Sequence, residues 1–512
     1  MTDKISLINR ALIHLNPEFA YKRIAWENYI RSAYDSGSNR HQNSGWHVVN
    51  SPAEMTNQGE RDIIRARTRD LERNSNMAES IVQAFERNVV GTGITLQARV
   101  KISEEEENEV LNKQIEKKFK QWNKKKYCDI SERQSFTELA QMAMRRLKVD
   151  GGILFIKIYD TNSPYRFKLQ AREIDDLDST KFYRGSGNEN YIINGIEIDK
   201  FNRHVAYWIR TTSPDGLYTK ESQKIPAENV LYLQRIKRPS QIREISELAP
   251  TANEVKNVNE YIEAISIKER ILACFSIFIK KNTAPGGVGR GFANTNTNKP
   301  TNATEPKEKT IAPGIINYLE PGDDIAVANP NGQATNAKEF VMFNQRLTAS
   351  GQGLSYETVS RDLSQVNYSS ARQGLLDDQI TYKVLQKFLI ENLFEPVYEE
   401  FMEAMYLTGQ LDLPDFYKNK EKYLECDWIT PGWSWIDPLK EVKANEVALN
   451  TNQMTLAELA ASNGKDWREV MKQRKKEKEL EKQYGLEPKE TSKNDEETDK
   501  LINEDTDSKK TS

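Results

Sequence analysis

The stretch DLSQVNYSSARQG, residues 362–374, offers almost nothing to a hydrophobic core. It contains one Leu, one Val and one Tyr, and most of its other side chains are hydroxyls, amides or charged groups. Strongly apolar helical patterns lie on both sides of it. A polar segment between two such patterns predicts a loop that faces water. Ser369 or Ser370 is placed to cap the helix that follows.

The helix predicted after this stretch is one of the longest in the chain. Residues 373–408 carry apolar side chains at helical spacing, and Pro396 is expected to kink the helix. The apolar residues of its inner face are Leu385, Phe388, Leu389, Leu393, Val397 and Phe401. Before the polar stretch, a helix is predicted around 337–349, and Gly351 and Gly353 are expected to end it.

Another long helix is predicted to begin at Thr251. Thr251 and Glu254 have the spacing of a capping box, and the apolar residues that follow trace a near-heptad stripe. From about residue 282 the chain becomes rich in Gly, Asn, Thr and Pro, which predicts a mobile loop with little core of its own. A short strand-like piece leads from this loop into the helix around 337–349.

The first half of the chain mixes helices with strands. Helical patterns cover 59–90, 103–122 and 136–148, and the first is broken at residues 74–76. Asn76 and Glu79 have capping-box spacing for the helix after that break, and Gly91 suits its C-cap.

Strands are predicted from about residue 152 to 236. Among them, Asn194 and Gly195 lie between alternating apolar residues, which is a strong signal for a tight β-hairpin. Helices followed by this run of short strands indicate an α+β fold.

Length and composition limit the classes of protein to which the chain can belong. A chain of 512 residues favours two to four packed units, and a hydrophobic content of 37% leaves room for disordered segments. The formal net charge is −3, whereas tight DNA binding usually requires a basic surplus. The charged run from about residue 474 to 512 predicts a disordered tail.

Cysteine spacing and apolar runs indicate the compartment. Cys128, Cys274 and Cys426 have no CxxC spacing, which favours free thiols in a reducing compartment. The N-terminal sequence lacks the features of a signal peptide, and the apolar run 271–279 is too short to cross a bilayer. We therefore expect a soluble intracellular protein without membrane contact.

Motifs for enzyme chemistry are missing from the sequence. It contains no GxxxxGK[ST] phosphate loop, no HExxH and no GxSxG elbow, and its four histidines are scattered. The segment GGVGRG at 286–291 resembles a nucleotide-binding loop only in composition. No catalytic residue, cofactor or metal is therefore predicted.

Paired carboxylates leave one enzymatic alternative open, because two-metal nucleases use such acids. The candidate acids are Asp175 with Asp176 and Asp178, Asp323 with Asp324, and Asp377 with Asp378. Turns explain the first two groups more simply, and a solvated helix face explains the third.

Three arginines, Arg61, Arg65 and Arg69, recur at helical spacing and therefore line one face. Contact with phosphate is one interpretation of this face. Pairing with acids of the same chain or of a neighbouring subunit is favoured.

Several blocks of sequence resemble the lambda-like family of tailed-phage portal proteins. They are RARTRDLERNSNMAESIVQAFERNVVGTGITLQ, DGGILF, INGIEID, SYETVSRDLSQVNYSSARQGLLDD and PGWSWIDPLKEVKANE. The resemblance runs from about residue 17 to about 470 in the order of the family. Ser240 and Glu244 depart from it, since they stand where the family is expected to have glycines, so the turn before residue 251 is expected to be built differently.

The resemblance implies a ring of subunits, typically twelve, at one capsid vertex. Each subunit would have an α/β wing, a two-helix stem, a small clip, a long kinked helix and a helical crown. The implied segments are the arm and wing at 1–250, the stem helix at 251–281, the clip at 282–336, the second stem helix at 337–353, the tunnel loop at 354–372, the long kinked helix at 373–408, the C-terminal wing and crown at 409–473, and the disordered charged tail at 474–512.

The resemblance also implies where DNA and partner proteins are met. A polar tunnel loop would contact moving double-stranded DNA weakly and without sequence preference, because contacts to phosphate carry no base information. The channel residues would be Arg361, Gln365, Asn367, Tyr368 and Arg372. The residues at the stem-to-clip end, which would contact partner proteins, would be Lys280, Lys281 and Arg290.

The implied partners are the terminase large subunit, the head-tail connector and the major capsid or scaffold protein. The protein would belong to the virion, and to the host cytoplasm during assembly. ATP hydrolysis would belong to a separate motor, so this chain is expected not to be an enzyme. Two alternatives remain open: a metal-dependent nuclease that uses Asp377, Asp378 and a third acid, and a monomeric head-tail adaptor.

Overall fold

The computed structural model describes the chain in segments. They are residues 50–102, 107–185, 189–210, 221–273, 278–279, 317–318, 337–364, 367–433 and 438–484. The chain divides into two units, Met1–Thr56 and Asn57–Ser512. Residues 50–56 are the described part of the first unit, and the architecture below is that of the second.

Helices make up most of the described residues. They are α1 (Ala53–Asn57), α2 (Arg61–Asn74), α3 (Asn76–Phe85), α4 (Glu109–Trp122), α5 (Lys125–Cys128), α6 (Phe136–Val149), α7 (Ala252–Ala273), α8 (Ala337–Gln352), α9 (Tyr356–Ser360), α10 (Tyr368–Leu389), α11 (Glu395–Leu407), α12 (Lys420–Leu424), α13 (Pro438–Asn450), α14 (Leu456–Ser462) and α15 (Trp467–Tyr484). Short π-helical turns extend α3 through Glu86–Val90 and join α10 to α11 through Ile390–Phe394.

Most strands follow one another after α6 without an α-helix between them, which confirms the α+β expectation. They are β1 (Thr95–Ala98), β2 (Gly152–Tyr159), β3 (Phe167–Arg172), β4 (Tyr191–Ile193), β5 (Ile196–Ile198), β6 (His204–Ile209), β7 (Gln223–Pro226), β8 (Val230–Gln234), β9 (Phe278–Ile279), β10 (Asn317–Tyr318) and β11 (Cys426–Ile429). The sheets have the orders β3-β2-β8, β4-β5-β6-β7, β1-β11 and β10-β9.

The predicted long helix forms the centre of the largest hydrophobic cluster. Its predicted inner face is confirmed, because Leu385, Leu389, Leu393, Val397 and Phe401 are at most 1% exposed and Phe388 packs against them. The helix begins at Tyr368, five residues before the predicted start. Pro396 lies directly after the π-helical turn, which places the irregular hydrogen bonding where a proline removes an N–H donor.

The predicted hairpin is confirmed. Ile193 pairs with Ile196, and the two residues between them, Asn194 and Gly195, have φ values of 49° and 83°. Positive φ at both central positions is the geometry of a type I′ turn, which Asn-Gly favours.

Two predicted helix caps are wrong. Ser75, not Asn76, caps α3, since its hydroxyl accepts from the backbone N–H of Ala78. Thr251 does not cap α7, because it lies in a 3-10 turn at Ala249–Thr251 and donates its hydroxyl to the carbonyl of Leu248.

The turn before α7 is built without the two glycines. Ser240 and Glu244 are not among the described residues with positive φ, so neither position requires glycine. Gly353, with φ of 70°, follows the end of α8 as predicted, whereas Gly351 lies inside the last turn of that helix.

The C-terminal part differs from the predicted layout. The charged run expected to be disordered from residue 474 is helical to Tyr484, the end of α15. Cys274 and residues 282–316 and 319–336 lie outside the described residues, and so do 485–512.

Within the described residues, no helix is both long enough and apolar enough to span a membrane.

Candidate functional site

The first residues of the polar stretch lie between α9 and α10, and residues 368–374 form the start of α10. Between these two helices, the described non-helical residues are 361–364 and 367. Gln365 lies outside the described residues. Tyr368 is the first residue of α10, and its side chain lies outside the described part of the structure.

A buried carboxylate holds the start of α9. Both oxygens of Asp378, which lies on α10, accept hydrogen bonds: Oδ1 from the backbone N–H of Ser355 at 2.7 Å, and Oδ2 from the Ser355 hydroxyl at 2.8 Å and the Thr358 hydroxyl at 2.5 Å. The Ser355 hydroxyl in turn accepts from the backbone N–H of Thr358 and caps α9. Asp378 therefore ties the short helix to the long one.

Apolar contacts anchor the same short helix. Leu354 and Val359 are buried in the largest hydrophobic cluster, and the Ser80 hydroxyl on α3 donates to the Val359 carbonyl at 2.8 Å. The segment leading into the polar loop is therefore part of the core, which the sequence analysis did not predict.

Arg361 ends α9 in the left-handed conformation, with φ of 56°. Its backbone N–H donates to the carbonyl of Glu357 at 2.8 Å, which closes the last turn of the helix. Its guanidinium is exposed and donates to the Gln83 side chain at 3.4 Å. The loop therefore starts with an accessible cation whose backbone is fixed.

Asn367 caps α10 at the other end of the loop. Its side-chain oxygen accepts from the backbone N–H of Ser370 at 2.8 Å. The prediction that Ser369 or Ser370 provides this cap is therefore wrong. Arg372 lies in the second turn of α10 and is half-buried.

Asp362 is the acidic residue of the loop. Its carboxylate accepts from the backbone N–H of Ser364 at 2.9 Å, and hydrogen bonding to Ser364 lowers the pKa of Asp362. The carboxylate therefore stays ionised and folds the loop back on itself. In the sequence, Arg361 and Arg372 lie on either side of it, and Arg372 belongs to the second turn of α10, whose N-terminus is the positive end of a helix dipole. Such a surface can make weak phosphate contacts.

The two helices before the loop are joined at one end. Gln352, at the end of α8, donates from its amide to the carbonyl of Glu247 at 3.1 Å and to the Thr251 hydroxyl at 3.0 Å. Farther along, the rings of Tyr261 on α7 and Phe340 on α8 lie 4.4 Å apart between centroids. The paired helices predicted at 251–281 and 337–353 therefore pack together over their described residues. Lys280, Lys281 and Arg290 lie outside those residues.

The candidate nuclease acids that the structure describes make ion pairs and hydrogen bonds within the protein. Asp175 pairs with Arg65 and Arg69, Asp176 pairs with Arg172, and Asp178 pairs with Arg210. Asp377 is exposed and accepts from Gln373, while its neighbour Asp378 is buried in the cap described above, not on a solvated face as expected. Asp323 and Asp324 lie outside the described residues.

The predicted pairing of the arginine face with acids of the same chain is confirmed. Arg65 contacts Glu244 at 2.9 Å, and Arg69 contacts Asp150 at 2.7 Å. Arg61 donates to the backbone carbonyl of Glu244 at 3.0 Å. The face is turned toward the protein and not toward a nucleic acid.

Sequence reasoning missed the full size of this buried network. Glu244 also accepts from Arg243 at 3.1 Å and from the Tyr232 hydroxyl at 2.5 Å; Arg243 and Glu244 are buried, and Tyr232 is half-buried. Burial and the Glu244 carboxylate raise the pKa of Tyr232 well above its ordinary value, so Tyr232 remains a hydrogen-bond donor. The available signal was the glutamate at residue 244, where the resemblance led us to expect a glycine.

Comparison with known proteins identifies the family of this chain. The family described as "Phage portal protein, lambda family" matches residues 39–386, which is more than half of the chain. The chain belongs to the lambda family of phage portal proteins.

Curated relatives agree along most of their length. A probable portal protein of Halomonas phage phiHAP-1 is 27% identical over 421 residues, covering 80% of this chain and 79% of the relative. Portal protein B of Escherichia phage lambda is 20% identical, covering 83% and 84%. The portal protein of Escherichia phage N15 is 20% identical, covering 87% and 89%.

The solved structures that match this chain include one from the neck of an empty gene transfer agent particle. It has a TM-score of 0.37 and 11% identity, covering 78% of this chain and 93% of its own. A chain from the virion of a native gene transfer agent particle has the same TM-score and identity, covering 80% and 99%.

Membership of the family defines the general role. Portal proteins are structural components of the virion, not enzymes, and they form oligomeric rings in phage particles. Their place at the capsid vertex and in DNA packaging applies to this chain.

Proposed function

We propose that this chain is one subunit of a ring, of about twelve copies as in the family, through which double-stranded DNA enters and leaves the capsid. The observation that carries the proposal is the exposure of Arg361, Ser364 and Asn367 between α9 and α10, where Asp378 holds α9 and Asn367 caps α10. A loop held in this way can touch a passing duplex repeatedly without being displaced.

The helices α7 and α8 form the stem in this proposal, with residues 282–336 as the clip and 354–372 as the tunnel loop. Apolar side chains remain exposed on α7, α8 and α10, which supports contact with neighbouring copies; examples are Ile262, Phe343 and Ile380. Residues 1–250 form the arm and wing, 373–408 the long helix, and 409–473 the crown.

The proposed partners follow from this layout. The clip, with Lys280, Lys281 and Arg290, contacts the terminase large subunit during packaging and the head-tail connector afterwards. The wing contacts the major capsid or scaffold protein during assembly in the host cytoplasm.

Charge reversal in the loop tests the DNA contact. The double variant Arg361→Glu with Arg372→Glu is expected to lower the amount of nuclease-protected DNA per particle severalfold, because like charges repel the phosphates. The matched control is Arg73→Glu, an exposed arginine on α2. Packaged DNA is measured after nuclease treatment of filled particles.

Ring assembly must be measured on the same samples. Native mass spectrometry is expected to show a closed ring near twelve copies for the wild type and for both variants. Rings that form and package normally with both arginines reversed would remove the loop from the DNA contact while leaving the portal role intact. A protein that stays monomeric under every assembly condition would instead favour the adaptor alternative.

A further inference from the structure

The hairpin formed by α14 and α15 exposes its apolar side. Neither helix contains a buried residue, although a helix with apolar residues normally turns them into a core. Four apolar side chains of the hairpin line one cavity of about 480 Å³. They are Leu456 and Leu459 on α14 and Val470 and Met471 on α15. A cavity of this volume is typical of ligand sites.

The walls of this cavity are held in position. The backbone of Gly432 comes so close to α14 that a Cβ atom there would lie 2.5 Å from the carbonyl carbon of Asn463. Two tryptophans, Trp433 and Trp467, complete the apolar lining. Arg468 holds α15 against the rest of the unit through paired contacts of 2.7 and 2.8 Å with Glu107. The cavity is therefore a built site and not a gap between loose helices.

The cavity has basic groups beside its apolar lining. Lys465 and Arg474 both line it and both are exposed. A ligand that fits must therefore offer aliphatic groups with negative charge next to them.

We propose that the cavity binds the C-terminal segment of its own chain, centred on Leu501 and Ile502. In residues 485–512 the large apolar side chains are Leu486 and this pair. Lys500 directly precedes the pair, and Asp499, Glu504 and Asp505 give residues 499–505 a net charge of −2. An aliphatic pair in an acidic segment matches an apolar cavity flanked by bases.

The length of the chain permits this docking. Arg474 lines the cavity, and α15 continues from it to Tyr484, a distance of about 15 Å along a helix. The chain from Tyr484 to Leu501 can span up to about 55 Å when extended. The pair therefore reaches back to the cavity of the same subunit with length to spare.

The test is a photo-crosslink in the full-length protein. Leu501 is replaced by benzoylphenylalanine, and the products are mapped by peptide mass spectrometry after illumination. Crosslinks at monomer mass to residues 432–433 or 456–474 are expected. The variant Leu456→Glu with Val470→Glu is expected to lower the yield about tenfold, because a charge would enter an apolar contact.

The control variant is Leu480→Glu, on the same helix but outside the cavity, and its yield should match the wild type. Lys465→Glu with Arg474→Glu should also lower the yield. Adding Glu504→Lys with Asp505→Lys should restore it, because opposite charges then face each other again. Circular dichroism checks that every variant keeps its helices.

Three results would overturn docking of the chain's own C-terminal segment. The first is a crosslink that maps to another surface or joins two copies. The second is a yield unaffected by Leu456→Glu with Val470→Glu. The third is a probe at Trp435 that labels the cavity when the probe at Leu501 does not, since residues 434–437 would then be the occupant.

Discussion

Asp378 shows how one buried carboxylate can organise a loop. Its two oxygens receive one backbone N–H and two hydroxyls, all from the segment Ser355–Thr358. A neutral residue cannot satisfy all three donors in the same way, because an amide offers only one acceptor oxygen. The acid that suggested a metal site in the sequence thus serves as a cap.

We expect Asp378→Asn to lower the free energy of unfolding by about 1–3 kcal/mol, because buried donors lose their acceptor. Hydrogen exchange across Tyr356–Ser360 should become faster at the same time. The control is Asp377→Asn, an exposed neighbour with one side-chain hydrogen bond, for which the loss should stay below about 0.5 kcal/mol. Urea denaturation and exchange mass spectrometry measure both effects. Equal losses in the two variants would show that Asp378 does not hold α9.

The residues that cap the helices could not be predicted from the sequence alone. The sequence offered Asn76 and Ser369 or Ser370 as caps, whereas Ser75 and Asn367 carry out these roles. Several neighbouring polar side chains can cap a helix, and the choice depends on which residue has extended backbone angles. Packing of the whole helix sets those angles, so composition alone does not identify the cap.

At the scale of elements, the pattern of apolar residues predicted the longer helices and the Asn-Gly hairpin because these structures are local. The pairing of Thr95–Ala98 with Cys426–Ile429 was not predictable, since no local signal joins strands more than three hundred residues apart. The five-residue helix α9 was missed for a different reason: it is too short to show a period and depends on Asp378 and on buried Val359.

The α14–α15 hairpin is expected to loosen in acid. Hydrogen bonding to Arg468 is the main cause that lowers the pKa of Glu107 from 4.5. A carboxyl group with a lowered pKa in the folded state adds stability above its unfolded pKa, and this stability is lost as the pH falls through the folded value. Protection of residues 456–484 from hydrogen exchange should therefore decrease below about pH 4.5.

Substitution of the arginine separates this contact from general acid effects. Arg468→Ala should show low protection of the hairpin already at neutral pH, with little further change in acid. Lys478→Ala, on the exposed part of the same helix, should keep the wild-type profile. A wild-type hairpin that is equally protected at pH 7 and pH 3.5 would contradict a role for Glu107.

At the scale of the whole molecule, the buried ionic network lies between two hydrophobic clusters. One cluster contains residues of α2 to α12 and one face of the three-stranded sheet, and the other contains residues of the four-stranded sheet with Leu154 and Ile156 of β2 and Val230 of β8. Arg65 extends from α2, while Arg243 donates to carbonyls at Ile174 and Asn194 beside the smaller cluster. Glu244 is the carboxylate that both arginines share. A glycine at 244, which the resemblance led us to expect there, could not make this connection.

We expect Glu244→Gln to lower the free energy of unfolding by about 3 kcal/mol, because buried Arg243 loses the carboxylate beside it and Arg65 keeps, among the described residues, Asp62 and Asp175 as acidic partners. Asp62→Asn is the matched control, since Asp62 also pairs with Arg65 but is 68% exposed, and its loss should stay below about 1 kcal/mol. Urea denaturation gives the difference, and hydrogen exchange should show that the strands from Tyr191 to Pro226 lose protection before the helices of the larger cluster. If both variants unfold at the same urea concentration, the network does not join the two clusters, and their union must rest on the apolar contacts of β2 instead.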